Sequence, residues 1–140
     1  MGIDTHVHAD HVTGAGALYR RYDCAAALGE MAQVVSLTVR AKEGKTLKVD
    51  GIGLKVIYTP GHTDDSYSFR LNGMVFTGDT LLIRGTGRTD FQNGDSYAQY
   101  DSIFNKLLKL PDDTLVYPAH DYKGDTVSTI AEERDFNPRL

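Results

Sequence analysis

Residues 5–11, Thr5-His6-Val7-His8-Ala9-Asp10-His11, place three imidazoles and one carboxylate within six positions. Extended backbone would point His6 and His8 to the same side, and a helix that starts shortly afterwards would turn Asp10 and His11 back towards them. The spacing therefore predicts that both pairs converge on one space. Metal binding explains this cluster better than a solvated polar loop does.

Three further potential ligands each follow a short strand-like run. His62 comes after Pro60-Gly61, a pair that forces a turn at the end of an apolar strand. Asp79 follows Phe76-Thr77-Gly78, and His120 follows Val116-Tyr117-Pro118-Ala119. Because binding groups commonly lie on loops held by a rigid sheet, we expect these side chains and segment 5–11 to gather along one sheet edge.

Two hairpins are predicted between residues 47 and 77. Asp50-Gly51 separates the runs 47–49 and 54–58, and Asn72-Gly73 separates the runs 67–71 and 74–77. Asp-Gly and Asn-Gly favour tight hairpin turns since both pairs tolerate positive φ. Another short strand is expected over 115–117.

Helical spacing of apolar residues predicts a first helix from about Val12 to Arg21. A second helix is capped by Asp95 or Ser96, and its apolar stripe is Tyr100, Ile103, Phe104, Leu107 and Leu108. Residues 125–128 with Glu132 suggest a last helix of about two turns. The mixture predicts an α/β (mixed α+β) fold in which helices cover sheet layers, with residues 1–140 as a single domain.

Composition argues against several classes of partner. The net charge is -4 and the basic residues are not concentrated anywhere, so neither nucleic acid nor an acidic membrane surface is an expected partner. No apolar run approaches the roughly 18 residues that span a bilayer. Cys24 is the single cysteine, and its run 23–27 resembles a short buried strand more than the setting of a nucleophile. We predict a cytoplasmic protein.

The four ligand-bearing segments, in this order, resemble the metallo-β-lactamase superfamily, whose αββα sandwich holds one or two metals at the sheet edge. Residues 79–92, which include Arg88-Thr89-Asp90-Phe91-Gln92, are more specifically similar to the persulfide dioxygenase family. Residues 117–124, 127–134 and 137–140 support the same family. The resemblance covers essentially the whole chain.

This resemblance implies one Fe(II) per chain, held by His6, His62 and Asp79, with zinc as the alternative metal. Two histidines and one carboxylate that leave positions open are typical of non-haem iron oxygenases. The implied reaction converts glutathione persulfide, O2 and water to glutathione and sulfite. His8, Asp10, His11 and His120 would then orient the ligands or hold a second metal.

Glutathione carries two carboxylates, for which arginine is a suitable partner. The resemblance assigns Arg139 and Tyr122 to the glutathione pocket. Arg88 is a third candidate for substrate binding, or else it braces the loop after Asp79 by pairing with a carboxylate such as Asp90.

Two other functions stay open at this point. Dinuclear hydrolases of the glyoxalase II type use the same ligand positions to attack glutathione thioesters with a metal-activated hydroxide. The persulfide dioxygenase family also carries strands before its first histidine motif and a segment after its last one, and neither is present between Met1 and Leu140. We therefore expect a partial sandwich with an exposed sheet edge, a homo-oligomer that covers this edge, and, as a third hypothesis, a catalytically silent metal-binding fragment.

Overall fold

A computed structural model describes residues 1–8, 12–34 and 38–140 of the chain. Two β-sheets form its centre. The smaller sheet has the strand order β1-β2-β3 and is parallel throughout; its strands are β1 (Gly2–Ile3), β2 (Ala26–Gly29) and β3 (Val39–Ala41).

The larger sheet has six strands in sequential order, β4 to β9. They are β4 (Thr46–Val49), β5 (Ile52–Tyr58), β6 (Tyr67–Leu71), β7 (Met74–Gly78), β8 (Leu115–Pro118) and β9 (Ser128–Thr129). Pairing is antiparallel except between β7 and β8, which run parallel.

Both predicted hairpins are confirmed. Asp50 and Gly51 have φ of 48° and 84°, and Asn72 and Gly73 have φ of 41° and 78°. Two successive positive φ angles define the turn whose twist matches paired strands, so these residues set the register of β4 with β5 and of β6 with β7.

Helices lie outside the sheets. Helix α1 (Ala15–Tyr22) contacts β1 and β2, while α2 (Ser96–Asp101) and α3 (Ile130–Phe136) lie on the side of the larger sheet. One core cluster joins the larger sheet to these helical segments: Val75, Leu81, Ile103, Leu107, Leu108, Val116 and Ile130. A second cluster joins the two sheets: Ala41, Val56, Tyr67 and Phe69. The helix, sheet, sheet, helix arrangement is the one expected from the sequence.

Several boundaries differ from the predictions. The first helix begins at Ala15 rather than Val12, because the Thr13 hydroxyl accepts from the Ala15 N–H and donates to Asp4 instead of continuing the helix. The predicted second helix is α-helical only to Asp101; a π-helical turn (Ser102–Lys106) and a 3₁₀ turn (Leu107–Lys109) follow. Tyr100, in the α-helical part, is exposed, so the predicted apolar stripe begins only at Ile103.

Two smaller predictions also need correction. Residues 125–128 are not helical: the last helix begins at Ile130, where Thr129 and Glu132 cap each other reciprocally. The strand predicted around Cys24 begins at Ala26, and the cysteine itself is half-buried before the strand. None of the helices within the described residues is long and apolar enough to cross a membrane.

Candidate metal centre

The ends of three strands deliver the candidate ligands to one edge of the sandwich. His6 and His8 follow β1, His62 follows β5, and Asp79 follows β7. Strands β5 and β7 are each antiparallel to β6, so they run in the same direction and end on the same side. The N–H of Tyr67, at the start of β6, donates to the Thr5 carbonyl at 2.8 Å and ties the histidine segment to the larger sheet.

The structure brings His6, His8, His62 and Asp79 together, with one potential ligand atom of each within 4.8 Å of the others. The Asp79 Oδ2 atom lies 3.7 Å from Nε2 of His6 and 3.6 Å from Nε2 of His62. The side chains of these three residues are at most 7% exposed. His8, to which the resemblance assigned a role in orienting the ligands or holding a second metal, is a half-buried fourth member of this group.

The four side chains are suitable ligands for a metal ion, and the hydrogen bonding of His62 tests whether a nitrogen is available to bind one. Its Nδ1 lies 2.8 Å from the Arg88 carbonyl, which can only accept, so Nδ1 carries the proton and Nε2 carries the lone pair. Among the residues that the structure describes, this buried Nε2 has no hydrogen-bond partner. An acceptor buried beside a carboxylate costs free energy unless a donor or a cation satisfies it. Imidazole and carboxylate ligands together suit iron or zinc.

His120 contacts the same carboxylate through its Nδ1. Its Nδ1 donates to Asp79 Oδ1 at 2.7 Å, with Oδ2 at 2.9 Å. Its ring stacks on Tyr122 with a centroid distance of 5.7 Å, and its side chain is 37% exposed. Within the described residues His120 is not part of the four-residue ligand group. Asp10 and His11 lie outside the described residues.

Asp65 is a buried residue near the site that the sequence analysis missed. Its carboxylate accepts the Val7 N–H at 3.2 Å and the Thr63 hydroxyl at 2.7 Å, so it links the peptide between His6 and His8 to the loop after His62. Desolvation raises the pKa of this carboxyl, although both hydrogen bonds oppose the shift. The only hint in the sequence was the Asp64-Asp65 pair shortly after His62.

Gly87 fits tightly between two of the candidate ligands. Its N–H donates to the Asp79 carbonyl at 2.8 Å, and a Cβ there would overlap that carbonyl oxygen and lie 2.9 Å from Nδ1 of His62. Only glycine allows this close approach.

The candidate substrate residues lie in different surroundings. Arg88 forms a two-pronged ion pair with Asp90, at 2.8 and 3.1 Å, in which both side chains are well exposed. This is the bracing partner that the sequence analysis considered for Arg88. Tyr122 and Arg139 line a hollow of about 260 Å³ beside His120, together with Arg84 and Lys123.

Residues 3–120 match the metallo-beta-lactamase superfamily. The chain is 44% identical over 140 residues to the human mitochondrial persulfide dioxygenase ETHE1, a match that covers 99% of this chain and 55% of the relative. It is 40% identical over 118 residues to hydroxyacylglutathione hydrolase from Idiomarina loihiensis, covering 84% of this chain and 46% of the relative.

Among solved structures, ETHE1 from Myxococcus xanthus superimposes with a TM-score of 0.94 at 51% identity, covering 99% of this chain and 61% of that one. The chain thus spans about half the length of these curated relatives. The match to the superfamily over residues 3–120 agrees with the order of the strands and with the position of the candidate ligands at strand ends. The chain therefore belongs to the metallo-beta-lactamase superfamily.

Proposed function

We propose that residues 1–140 form a single domain of the persulfide dioxygenase type, which binds one Fe(II) through His6, His62 and Asp79. The proposed reaction oxidises glutathione persulfide with O2 to sulfite and glutathione. The observation that carries the proposal is the arrangement around the Asp79 carboxylate: Oδ2 lies 3.7 and 3.6 Å from Nε2 of His6 and His62, while Nδ1 of His120 is hydrogen-bonded to Oδ1 at 2.7 Å and to Oδ2 at 2.9 Å. Identities of 44% and 51% to the ETHE1 proteins support the same assignment.

Iron held by these side chains would supply the redox centre and open coordination positions that the reaction needs. The chain's own contribution is to fix the ligand geometry. The Arg88 carbonyl selects the tautomer of His62, and His120 fixes the rotation of the Asp79 carboxylate. In the overall balance the S–S bond of glutathione persulfide breaks, the outer sulfur is oxidised to sulfite, and O2 takes up the electrons. Water supplies the third oxygen of sulfite.

The hollow beside His120 suits the substrate's glutathione part. Its lining includes the basic residues Lys123 and Arg139 and one acidic residue, Asp121, and Tyr122 stacks on the His120 ring. Arg84 also lines the hollow but is already paired with Glu133 at 3.0 Å. Glutathione presents two carboxylates, which cationic side chains bind by charge-assisted hydrogen bonds. We propose that Arg139 and Tyr122 contact glutathione, and that Arg88, already paired with Asp90, braces its loop.

Elemental analysis of protein purified anaerobically without added metal tests the proposal. About one iron per chain, with O2 consumption and sulfite formation on addition of glutathione persulfide, is the expected result. Full metal loading without sulfite formation would contradict the dioxygenase assignment. Protein that binds no metal at all would contradict the site itself, whereas a loaded but inactive protein would favour the catalytically silent metal-binding fragment.

A dinuclear hydrolase is the second candidate. The 40% identity to hydroxyacylglutathione hydrolase supports it, as does the presence of His8 as a fourth member of the ligand group. Two zinc ions per chain together with hydrolysis of a glutathione thioester would select this function instead.

We also propose that the chain forms a homo-oligomer. Strand β1 is an edge strand of the smaller sheet, and Ile3 and Thr5 line an apolar hollow of about 310 Å³ with Phe76 and Tyr117. Unpaired edge strands tend to pair with another chain. Sedimentation that gives a monomer at all concentrations would contradict the proposal. The cytoplasmic location stays a prediction, which cell fractionation would test.

A further inference from the structure

The side chain of Gln99 lies close to the candidate metal centre without belonging to the ligand group. Gln99 is the buried residue of helix α2, 5% exposed, and its Nε2 donates to the Gly87 carbonyl at 2.7 Å. Gly87 and the next residue, Arg88, contact the proposed ligands directly: the Gly87 N–H donates to the Asp79 carbonyl, and the Arg88 carbonyl accepts from His62. Gln99 therefore holds residues 87–88, which we call the strap. The strap contacts two of the three proposed ligands, Asp79 and His62.

The same helix also fixes the loop that carries His62. The Asp95 N–H donates to the Gly61 carbonyl at 2.8 Å, and the Ser102 hydroxyl donates to the Pro60 carbonyl at 2.7 Å. The backbone of Gln99 packs so closely on Gly61 that a Cβ at residue 61 would overlap it. Gln99 thus contacts two segments next to His62: its backbone packs on Gly61, the preceding residue, and its amide bonds to Gly87 in the strap.

We propose that Gln99 is a positioning residue of the metal centre: it acts through the Gly87-Arg88 strap to hold His62 with Nδ1 protonated and Nε2 available to the metal. This inference rests on the proposed function, because it assigns His62 as a ligand. The reasoning is the general one that groups behind a ligating histidine fix its tautomer and orientation.

The other amide atom of Gln99 distinguishes positioning from a purely structural role. Its Oε1 is buried and, within the described part of the chain, has no hydrogen-bond partner. A buried acceptor without a donor is unfavourable for folding. An apolar side chain of the same length would remove this unfavourable group but would also leave the Gly87 carbonyl without its donor, so the two effects on folding stability oppose each other. A positioning role therefore predicts a loss of metal affinity that a change in folding stability does not account for.

The variant Gln99→Met tests this, because methionine keeps the unbranched shape but donates no hydrogen bond. Ile103→Val is the matched control, since it trims a buried side chain four positions away along the same helical segment, and an isoleucine side chain makes no hydrogen bond to residues 87–88. Gln99→Leu is the second variant, in case methionine packs poorly. All are prepared as the full chain.

Three measurements are made on each protein, beginning with the wild type. The Fe(II) dissociation constant is measured anaerobically by competition with a chromophoric chelator. The exchange rate of the His62 Nδ1 proton is measured by NMR on Zn(II)-loaded, ¹⁵N-histidine-labelled protein. The stability of metal-free protein is measured by urea unfolding.

We expect Gln99→Met to bind Fe(II) about tenfold more weakly, the low end of what losing a group behind a ligand costs, and to exchange the His62 proton faster. Its urea midpoint should stay close to that of the wild type, because removal of the unpaired Oε1 offsets the unpaired Gly87 carbonyl, and Ile103→Val should lower the midpoint without changing metal affinity or proton exchange. Unchanged affinity and exchange in both Gln99 variants would overturn the inference alone, and so would an equal loss of affinity in Ile103→Val. Wild-type protein that binds no metal, or whose metal affinity does not depend on His62, would overturn the proposed function and this inference together.

Discussion

Nδ1 of His120 bridges both oxygens of Asp79, at 2.7 Å from Oδ1 and 2.9 Å from Oδ2. The acceptor is a carboxylate, so the imidazole donates and its Nδ1 is protonated. Oδ2 also lies 3.7 and 3.6 Å from Nε2 of His6 and His62. His6 and His62 therefore face this carboxylate as expected metal ligands, whereas His120 is the residue expected to orient it.

Replacing His62 or Asp79 with alanine should abolish iron binding. Each change removes one of three proposed protein ligands, so the remaining two hold the ion too weakly to survive purification. Elemental analysis should show iron falling from about one per chain to near zero, with sulfite production lost in parallel. Lys48→Ala, on the exposed face of β4, is the control and should retain full iron. Either alanine variant that keeps its iron would contradict the ligand assignment.

Replacing His120 with alanine should lower activity and spare the metal. Without its Nδ1–H the Asp79 carboxylate can rotate, which we expect to reduce turnover by about 10- to 100-fold, the usual effect of losing a partner of a ligand. Metal content and activity are measured on the same preparation. A second metal that is present in the wild type and missing from His120→Ala would instead support the dinuclear hydrolase.

The sequence predicted most of what is local in this structure. Asp50-Gly51 and Asn72-Gly73 determine their hairpins because positive φ at adjacent positions is a property of the turn itself. The strand-end positions of His62, Asp79 and His120 followed from glycine and proline next to apolar runs. The switch to a π-helical turn after Asp101 was not predictable, because the apolar periodicity of residues 103–108 continues through it.

Contacts between distant segments could not be predicted from the sequence. Asp65 reaches Val7 across 58 positions, and Gln99 reaches Gly87 across 12, with no periodic signal in either case. Both are buried polar side chains that bond to backbone groups. Their partners depend on how the two sheets meet, and a pattern of apolar residues does not encode that.

Gly87→Ala should weaken metal binding and destabilise the fold together. The added methyl would overlap the Asp79 carbonyl and press on Nδ1 of His62, so backbone next to two ligands must move. We expect a loss of about 1–3 kcal/mol in unfolding free energy, typical of overpacking, with a weaker Fe(II) complex. Gly85→Ala is a close control, because its nearest neighbour would be the Leu82 side chain at an ordinary 3.8 Å. Equal behaviour of the two variants would contradict the tight fit at Gly87.

Arg139→Ala should raise the KM for glutathione persulfide with little change in kcat. Arg139 lines the hollow beside His120 but is absent from the ligand group, so its loss should remove binding of a glutathione carboxylate and leave the redox site intact. Steady-state O2 consumption measures both constants, and Lys48→Ala again serves as the control for loss of a positive charge. A fall in kcat at unchanged KM would argue against a role in substrate binding.

Asp65 should make the metal-free protein less stable as the pH rises. Desolvation raises the pKa of its carboxyl in the folded state, so the folded chain binds this proton more tightly than the unfolded chain does. The contribution is favourable below the unfolded pKa, about 4, and is lost as the pH rises through the higher folded value. Asp65→Asn removes this titration while keeping the shape of the side chain. The wild type should therefore lose unfolding free energy relative to Asp65→Asn as the pH increases over that interval. Urea titration in the presence of a chelator measures this difference. A difference that is flat with pH would mean that the hydrogen bonds from Val7 and Thr63 balance the burial of the carboxylate, and one that favours the wild type at higher pH would mean that they outweigh it.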